Sequence, residues 1–73
     1  MIFDFTLKGD YIELTGLLKV LNLASTGGEA KMLVDAGVVY LNGKQELRRR
    51  AKLKSGDKVE LKTDDEYVII HIK

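Results

Sequence analysis

The fold of this chain is decided by residues 26–57, which read TGGEAKMLVDAGVVYLNGKQELRRRAKLKSGD. The stretch opens with Thr26 and, three residues later, Glu29, a capping box in which the hydroxyl and the carboxylate each satisfy a free backbone amide. Three apolar residues follow at helical spacing: Ala30, Leu33 and Val34. Gly37 supplies the left-handed residue that commonly ends a helix. The sequence therefore predicts a short helix that begins at Gly27.

After this helix the sequence predicts a strand and a tight hairpin. Residues 38–41 are β-branched, aromatic or aliphatic, as strands favour. Asn42-Gly43 provides the residue types that most readily take the two positive φ angles of a two-residue hairpin turn. Ser55-Gly56-Asp57 indicates a second turn, followed by two further strand patterns at residues 58–62 and 67–72.

Between the two turns lies a basic segment, residues 46–54, with the sequence ELRRRAKLK. If the segment is extended, its period of two places four side chains on one side: Glu46, Arg48, Arg50 and Lys52. The same alternation points three apolar side chains the other way: Leu47, Ala51 and Leu53. We therefore expect a row of basic side chains, with Arg49 pointing away from it toward solvent or toward the acidic residues 64–66.

The amino-terminal part predicts one more strand and one more helix. Residues 2–7 alternate, with Phe3, Phe5 and Leu7 on one face. Four leucines then fall at the spacing of an amphipathic helix: Leu14, Leu17, Leu18 and Leu21. We expect the final strand to lie between residues 58–62 and the amino-terminal strand, because consecutive strands tend to be neighbours in space.

Length and composition bound the class of protein. A chain of 73 residues has room for one domain, here residues 1–73, which buries only about 60% of the surface of its unfolded chain. Hydrophobic residues at 45% and charged residues at 32% are typical of a folded, soluble domain. Cysteine is absent, and no apolar run approaches the roughly 20 residues of a membrane span. The amino terminus also lacks the pattern of a secretory signal, so we expect a cytoplasmic protein without a membrane partner.

Positive charge is concentrated in one part of the chain, although the net charge is only +1. Residues 44–58 carry seven basic and two acidic side chains, a net of +5. Residues 1–43 and residues 59–73 each carry a net of −2. A charge run is usually a solvated face, but three consecutive arginines favour phosphate, because the planar guanidinium donates two parallel hydrogen bonds to it. The pattern indicates a polyanionic partner.

Residues that could carry catalysis are scarce. His71 is the single histidine and lies in a strand pattern without a second metal ligand, so it predicts neither a metal site nor an acid–base group. Residues 64–66 are acidic, but in a short loop they are typical of a turn. Gly27-Gly28 at a helix start could hold a phosphate on backbone amides, unless Glu29 already fills that position. We expect no enzyme activity, no cofactor and no small-molecule substrate.

These residues carry a resemblance to a known family. The run Thr26-Gly-Gly-Glu-Ala30, the later Leu41-Asn42-Gly43 and the Gly56-Asp57-Lys58-Val59 turn resemble the S-four domain, also called the alpha-L RNA-binding motif. The resemblance covers about residues 13–62 as the motif core. The chain is also similar to the small stand-alone bacterial members of the YaaA and YbcJ type. Their E-x-R-x-R-x-K segment matches Glu46, Arg48, Arg50 and Lys52.

The resemblance implies an α+β fold, with two short helices packed on a small, mostly antiparallel curved sheet and added N- and C-terminal strands. It also implies a monomeric protein that recognises structured RNA, such as ribosomal RNA or tRNA, through a basic face built from both helices and the hairpin. Carried over by position, it implies these RNA-binding residues: Lys19, Gly27, Lys31, Asn42, Lys44, Arg48, Arg50 and Lys52. Gly28 at the helix start and Arg49 in the arginine run are further RNA-binding candidates. The hairpin turn alone would also explain Asn42.

Two other classes of function stay open from the residues alone. A protein-interaction module would use the same basic face for an acidic partner. An accessory module would deliver RNA to a separate enzyme, as this domain does within larger proteins such as pseudouridine synthases. No aromatic platform for stacking bases is evident, since packing explains Tyr40 on the hairpin better than stacking does.

Overall fold

The computed structural model describes residues 1–73 and confirms the predicted α+β class. The helices are α1 (Leu14–Val20) and α2 (Gly27–Asp35), and the strands are β1 (Ile2–Phe5), β2 (Ile12–Glu13), β3 (Val39–Leu41), β4 (Lys44–Gln45), β5 (Lys52–Leu53), β6 (Lys58–Lys62) and β7 (Tyr67–Ile72). Five strands form one sheet in the order β1-β7-β6-β3-β4, and β2 and β5 form a separate ribbon. Only the β1–β7 pair is parallel.

The sheet places β7 between β6 and β1, as the sequence predicted. Val59 and Leu61 of β6 are buried in register with Ile70 and Val68 of β7. These side chains face the helices, where the apolar face of β1 also packs against the core. The predicted alternation of β1, β6 and β7 is therefore confirmed.

Helix α1 forms because its leucines share one face. Leu14, Leu17 and Leu18 are fully buried, and Leu21 is half-buried just beyond the helix. Glu13 precedes the helix but its side chain does not cap the first turn. The amides of that turn therefore need acceptors from another part of the chain.

Helix α2 begins at Gly27, as predicted, because Thr26 caps it. The Glu29 backbone N–H donates to Thr26 Oγ1 at 3.1 Å. The helix ends where Gly37 takes a φ of +78°, a conformation in which a side chain would be strained. Of the predicted apolar face, Ala30 and Val34 are buried and Leu33 is half-buried.

The β3–β4 hairpin is also confirmed. Asn42 and Gly43 have φ angles of +51° and +88°, so both central residues of the turn are left-handed as a two-residue turn requires. Tyr40 pairs with Gln45, and the Gln45 side chain donates to the Gly37 carbonyl at 3.0 Å. This bond joins the hairpin to the end of α2.

The predicted extended row of residues 46–52 is wrong before Lys52. Residues 48–51 form a turn in which the Ala51 N–H donates to the Arg48 carbonyl at 3.2 Å. Glu46 is buried and Leu47 is 57% exposed, the reverse of the predicted alternation. The physical reason is that Glu46 folds onto Arg48, after which the chain turns back toward α1. Ala51 and Leu53 are buried as predicted.

Neither helix approaches the length needed to cross a membrane, since α1 has seven residues and α2 has nine.

Candidate nucleic-acid interface

The basic segment is held against the start of α1, whose free amides it satisfies. The Leu14 N–H donates to the Ala51 carbonyl at 2.9 Å, and the Thr15 N–H donates to the Arg49 carbonyl at 3.3 Å. One residue earlier, Glu13 pairs with Lys52 across the β2–β5 ribbon. These carbonyls replace the missing side-chain cap of α1. As a result, the three arginines are presented beside the helix pair.

Arg48 is held by Glu46. Its Nε and Nη2 atoms each lie 3.0 Å from a Glu46 carboxylate oxygen, and its backbone N–H donates to the same carboxylate at 3.0 Å. These hydrogen bonds from Arg48 lower the pKa of Glu46, and they outweigh the opposite effect of its burial. The Arg48 side chain is nevertheless 76% exposed. Glu46 therefore fixes the orientation of a guanidinium that solvent still reaches.

Arg49 is held by Asp35, the last residue of α2. Arg49 Nε donates to Asp35 Oδ1 at 2.9 Å, and Nη2 donates to Oδ2. This pair lowers the pKa of Asp35, because the hydrogen bonds from Arg49 favour the ionised carboxylate. A carboxylate at the carboxyl end of a helix is unfavourable by itself, so Arg49 offsets an unfavourable charge. The acidic partner of Arg49 is therefore Asp35 and not residues 64–66, while half of the side chain remains exposed to solvent.

Arg50 and Lys52 reach toward the β2 segment. Arg50 Nε donates to Glu13 Oε2 at 2.9 Å, while its side chain remains 83% exposed. The Lys52 ammonium lies 4.9 Å from the centre of the Tyr11 ring, a cation–π contact. The four basic side chains therefore reach toward three separate parts of the chain, Glu46, the end of α2 and residues 11–13, instead of forming one row.

The three arginines share an arrangement that leaves donors free. A guanidinium carries five N–H groups, and each of the three arginines uses at most two of them to bind its carboxylate. The Arg49–Asp35 and Arg50–Glu13 pairs contribute little net stability, because their charges remain hydrated and their attraction is screened. The pairs therefore act mainly to hold each guanidinium in one orientation, with its remaining donors turned to solvent.

Two lysines lie along the helix pair beside Arg49. Lys31 is one turn before Asp35 on α2, and Lys19 is one turn after Thr15 on α1. Residues four apart share a helical face, so Lys31 lies on the face of α2 that carries Asp35, the partner of Arg49. Both lysines are exposed and form no ion pair within the chain. They are free cations next to the arginines.

Three other predicted contact residues lie outside this group. Gly27 and Gly28 lie in the first turn of α2, about 12 Å along the helix axis from Asp35 at 1.5 Å per residue, so they are peripheral to the arginines. Lys44 is exposed on β4 at the hairpin, two residues before Glu46.

Asn42 is fully engaged in holding the hairpin. Its Nδ2 donates to Asp57 Oδ1 at 3.0 Å, and its Oδ1 accepts the Lys58 N–H at 2.8 Å. These hydrogen bonds therefore explain why asparagine occupies position 42 without an RNA contact.

Sequence reasoning missed the carboxylates that orient the arginines. Asp35 and Glu13 are distant from their arginines in sequence, and only the tertiary fold joins them. Glu46 was noted, but as one member of the row and not as the partner of Arg48. A glutamate two residues before an arginine is a signal for such a pair only when the segment is known to be a loop.

The fold and the exposed arginines together define a class: a small α+β module that presents cationic side chains to a polyanion. The family model of the S4 domain matches residues 5–70, and the chain belongs to the S4 domain family. S4 domains are generally RNA-binding modules and not catalytic ones. Membership of the family therefore supports a general RNA-binding role for this chain. No curated protein matches the chain.

Proposed function

We propose that this protein is a monomeric, cytoplasmic RNA-binding protein that recognises structured RNA, either ribosomal RNA or tRNA. The surface that binds, here called the arginine face, consists of Arg48, Arg49, Arg50, Lys52, Lys19 and Lys31. One observation carries the proposal: three exposed guanidiniums are fixed by carboxylates beside the helix pair, and each keeps donors for phosphate.

Fixed guanidiniums favour an RNA whose phosphates are themselves held in place. Ordering a flexible cation on binding costs conformational entropy, and a side chain that is already oriented avoids part of that cost. A folded RNA presents phosphates and 2′-hydroxyls at set spacings, so its shape can be matched by a rigid set of donors. The proposed mechanism is therefore recognition of backbone shape, without catalysis.

The predicted contact residues outside the arginine face have smaller roles in this proposal. Lys44 and the first-turn amides of Gly27 and Gly28 lie around the arginine face and would contact phosphates further along the RNA. Asn42 would contribute by holding the hairpin, through its bonds to Asp57 and Lys58.

A competition experiment tests the preference for structured RNA. Purified protein is bound to a labelled, folded tRNA, and unlabelled tRNA or duplex DNA with the same number of phosphates is added. We expect the RNA to compete at lower concentration, because the duplex DNA offers no 2′-hydroxyls and a different groove geometry. Equal competition would contradict the proposal and favour a generic surface for polyanions or acidic proteins.

A further inference from the structure

A pocket next to the arginine face is not used by the proposed function. It is a cavity of about 350 Å³ lined by six residues, here called the Tyr11 pocket: Phe5, Thr6, Leu7, Lys8, Tyr11 and Ile12. Four of these side chains are hydrophobic, and the Tyr11 side chain remains 45% exposed. Cavities of roughly 300 Å³ or more with mostly apolar walls and a few polar groups are typical of ligand sites.

The pocket is continuous with the arginine face through the β2–β5 ribbon. Ile12, which lines the pocket, pairs with Leu53, and the next pair joins Glu13 to Lys52. Glu13 also accepts the hydrogen bond from Arg50, and the Lys52 ammonium lies 4.9 Å from the Tyr11 ring centre. An RNA strand that contacts Arg50 and Lys52 would therefore pass the mouth of the pocket.

The pocket combines groups that match the two halves of a nucleotide. The Tyr11 ring provides a flat aromatic surface on which a base can stack, and Phe5 and Leu7 provide apolar walls. Lys52, which lies over one face of the Tyr11 ring, and Lys8 in the wall provide cations for phosphate, so a base would stack on the other face of the ring. An apolar side chain of a protein partner would use the walls but leave both ammonium groups without a counterion.

We propose that the Tyr11 pocket receives an unpaired nucleobase of the bound RNA, stacked on Tyr11, while Lys52 and Lys8 contact the flanking phosphates. This inference rests on the proposed RNA-binding function and extends it. Backbone contacts position an RNA without reading its bases, whereas a base in the pocket makes binding depend on an unpaired nucleotide near the helical region. The pocket is thus the determinant of which structured RNA binds best.

Two synthetic RNA hairpins test this proposal. They share one stem and one loop length, but one loop carries ordinary bases and the other carries abasic riboses, so the phosphate count is the same. We expect the wild-type protein to bind the ordinary hairpin about 5- to 100-fold more tightly, the range of one stacked base. Tyr11→Ala should lose this preference while keeping the salt dependence of binding, because no phosphate contact is removed.

Tyr67→Ala is the matched control. Tyr67 is 50% exposed and lies at the opposite end of the β1–β7 pair, away from the pocket. Its hydroxyl donates to the buried Glu60, so circular dichroism must first verify that this variant is folded. Removal of Tyr67 should leave the preference for the ordinary hairpin unchanged. Equal loss of preference in both variants would contradict the assignment to Tyr11.

A second readout does not require Tyr11→Ala to fold. The chain contains no tryptophan, so Tyr11→Trp places a single tryptophan in the pocket, and its fluorescence can be excited apart from that of the two remaining tyrosines. A stacked base should quench it, and the abasic hairpin should not. If the wild type binds both hairpins equally and the tryptophan is unquenched, the pocket proposal is wrong, but the proposed binding of RNA by the arginine face is not contradicted. If neither hairpin shows salt-dependent binding, the proposed function fails, and the pocket proposal with it.

Discussion

Glu46 shows how one residue can set the course of a whole segment. Its carboxylate is only 11% exposed and accepts three hydrogen bonds from Arg48, two from the guanidinium and one from the backbone. A buried carboxylate without these donors would be unfavourable, so Glu46 and Arg48 require each other. This local pairing replaces the strand that alternation alone predicted and turns the following arginines toward α1.

The stability of the protein should depend on the ionisation of Glu46. Arg48 lowers the pKa of Glu46 in the folded state. The ionised carboxylate therefore stabilises the fold above its unfolded pKa of about 4.3, and this contribution is lost as the pH falls through the lower folded value. We expect the free energy of unfolding to fall more steeply between about pH 6 and pH 3 for the wild type than for Glu46→Gln. Urea unfolding at several pH values measures both slopes.

Asp64→Asn provides the control for that measurement. Asp64 is an exposed carboxylate in the β6–β7 turn and forms no ion pair. Its substitution should leave the pH dependence of the wild type unchanged. If the free energy of unfolding of Glu46→Gln falls with decreasing pH as steeply as that of the wild type, the Arg48–Glu46 pair does not contribute to the pH dependence of stability.

The elements of this fold differ in how far their own sequence determines them. Helix α2 and the β3–β4 hairpin were predicted correctly, because Thr26 and the Asn42-Gly43 turn act within a few residues of themselves. The course of the basic segment was not predicted correctly, because it depends on the Leu14 and Thr15 amides, more than thirty residues earlier in the chain. Its arginines were identified from the sequence as RNA-binding candidates, but their directions come from tertiary contacts.

The contact between α2 and the basic segment should compete with RNA. Asp35 occupies two donors of Arg49 and places a negative charge next to the proposed phosphate path. We expect Asp35→Asn to raise the affinity for folded tRNA by about two- to fivefold at low salt, because the asparagine oxygen still accepts a hydrogen bond that orients Arg49, while the competing negative charge is removed. Equilibrium binding of the labelled tRNA measures the change.

Asp64→Asn is again the matched control, since it removes one negative charge from a carboxylate that pairs with no arginine. It should change the affinity less than Asp35→Asn does. Equal gains from both variants would show that only net charge matters, and no gain from Asp35→Asn would argue against a phosphate near Arg49.

At the scale of the whole molecule, positive and negative charge belong to different segments of the chain. The arginine face lies at the helix pair, while residues 64–66 form an acidic turn between β6 and β7. This separation was already visible in the sequence as a +5 segment in a chain of net charge +1. An asymmetric charge distribution orients a protein in the field of a polyanion before contact. We therefore expect RNA affinity to depend on the position of the positive charge as well as on the net charge.

The salt dependence of RNA affinity tests this central claim most directly. We compare the wild type, Arg48→Gln/Arg50→Gln, and the control Lys62→Gln/Lys73→Gln, which removes the same charge outside the arginine face and the Tyr11 pocket. Glutamine keeps an N–H donor for Glu46 and Glu13, and circular dichroism verifies that each variant is folded.

The logarithm of the affinity for folded tRNA is measured against the logarithm of the salt concentration. For about five phosphate contacts, the wild type and the lysine control should show a slope of roughly −3 to −5. The arginine variant should bind more weakly, with a slope flatter by about 1.4 to 1.8, because two phosphate contacts are lost. If the arginine variant instead keeps the affinity and slope of the wild type, the arginine face is a solvated surface and the proposed RNA-binding site is wrong.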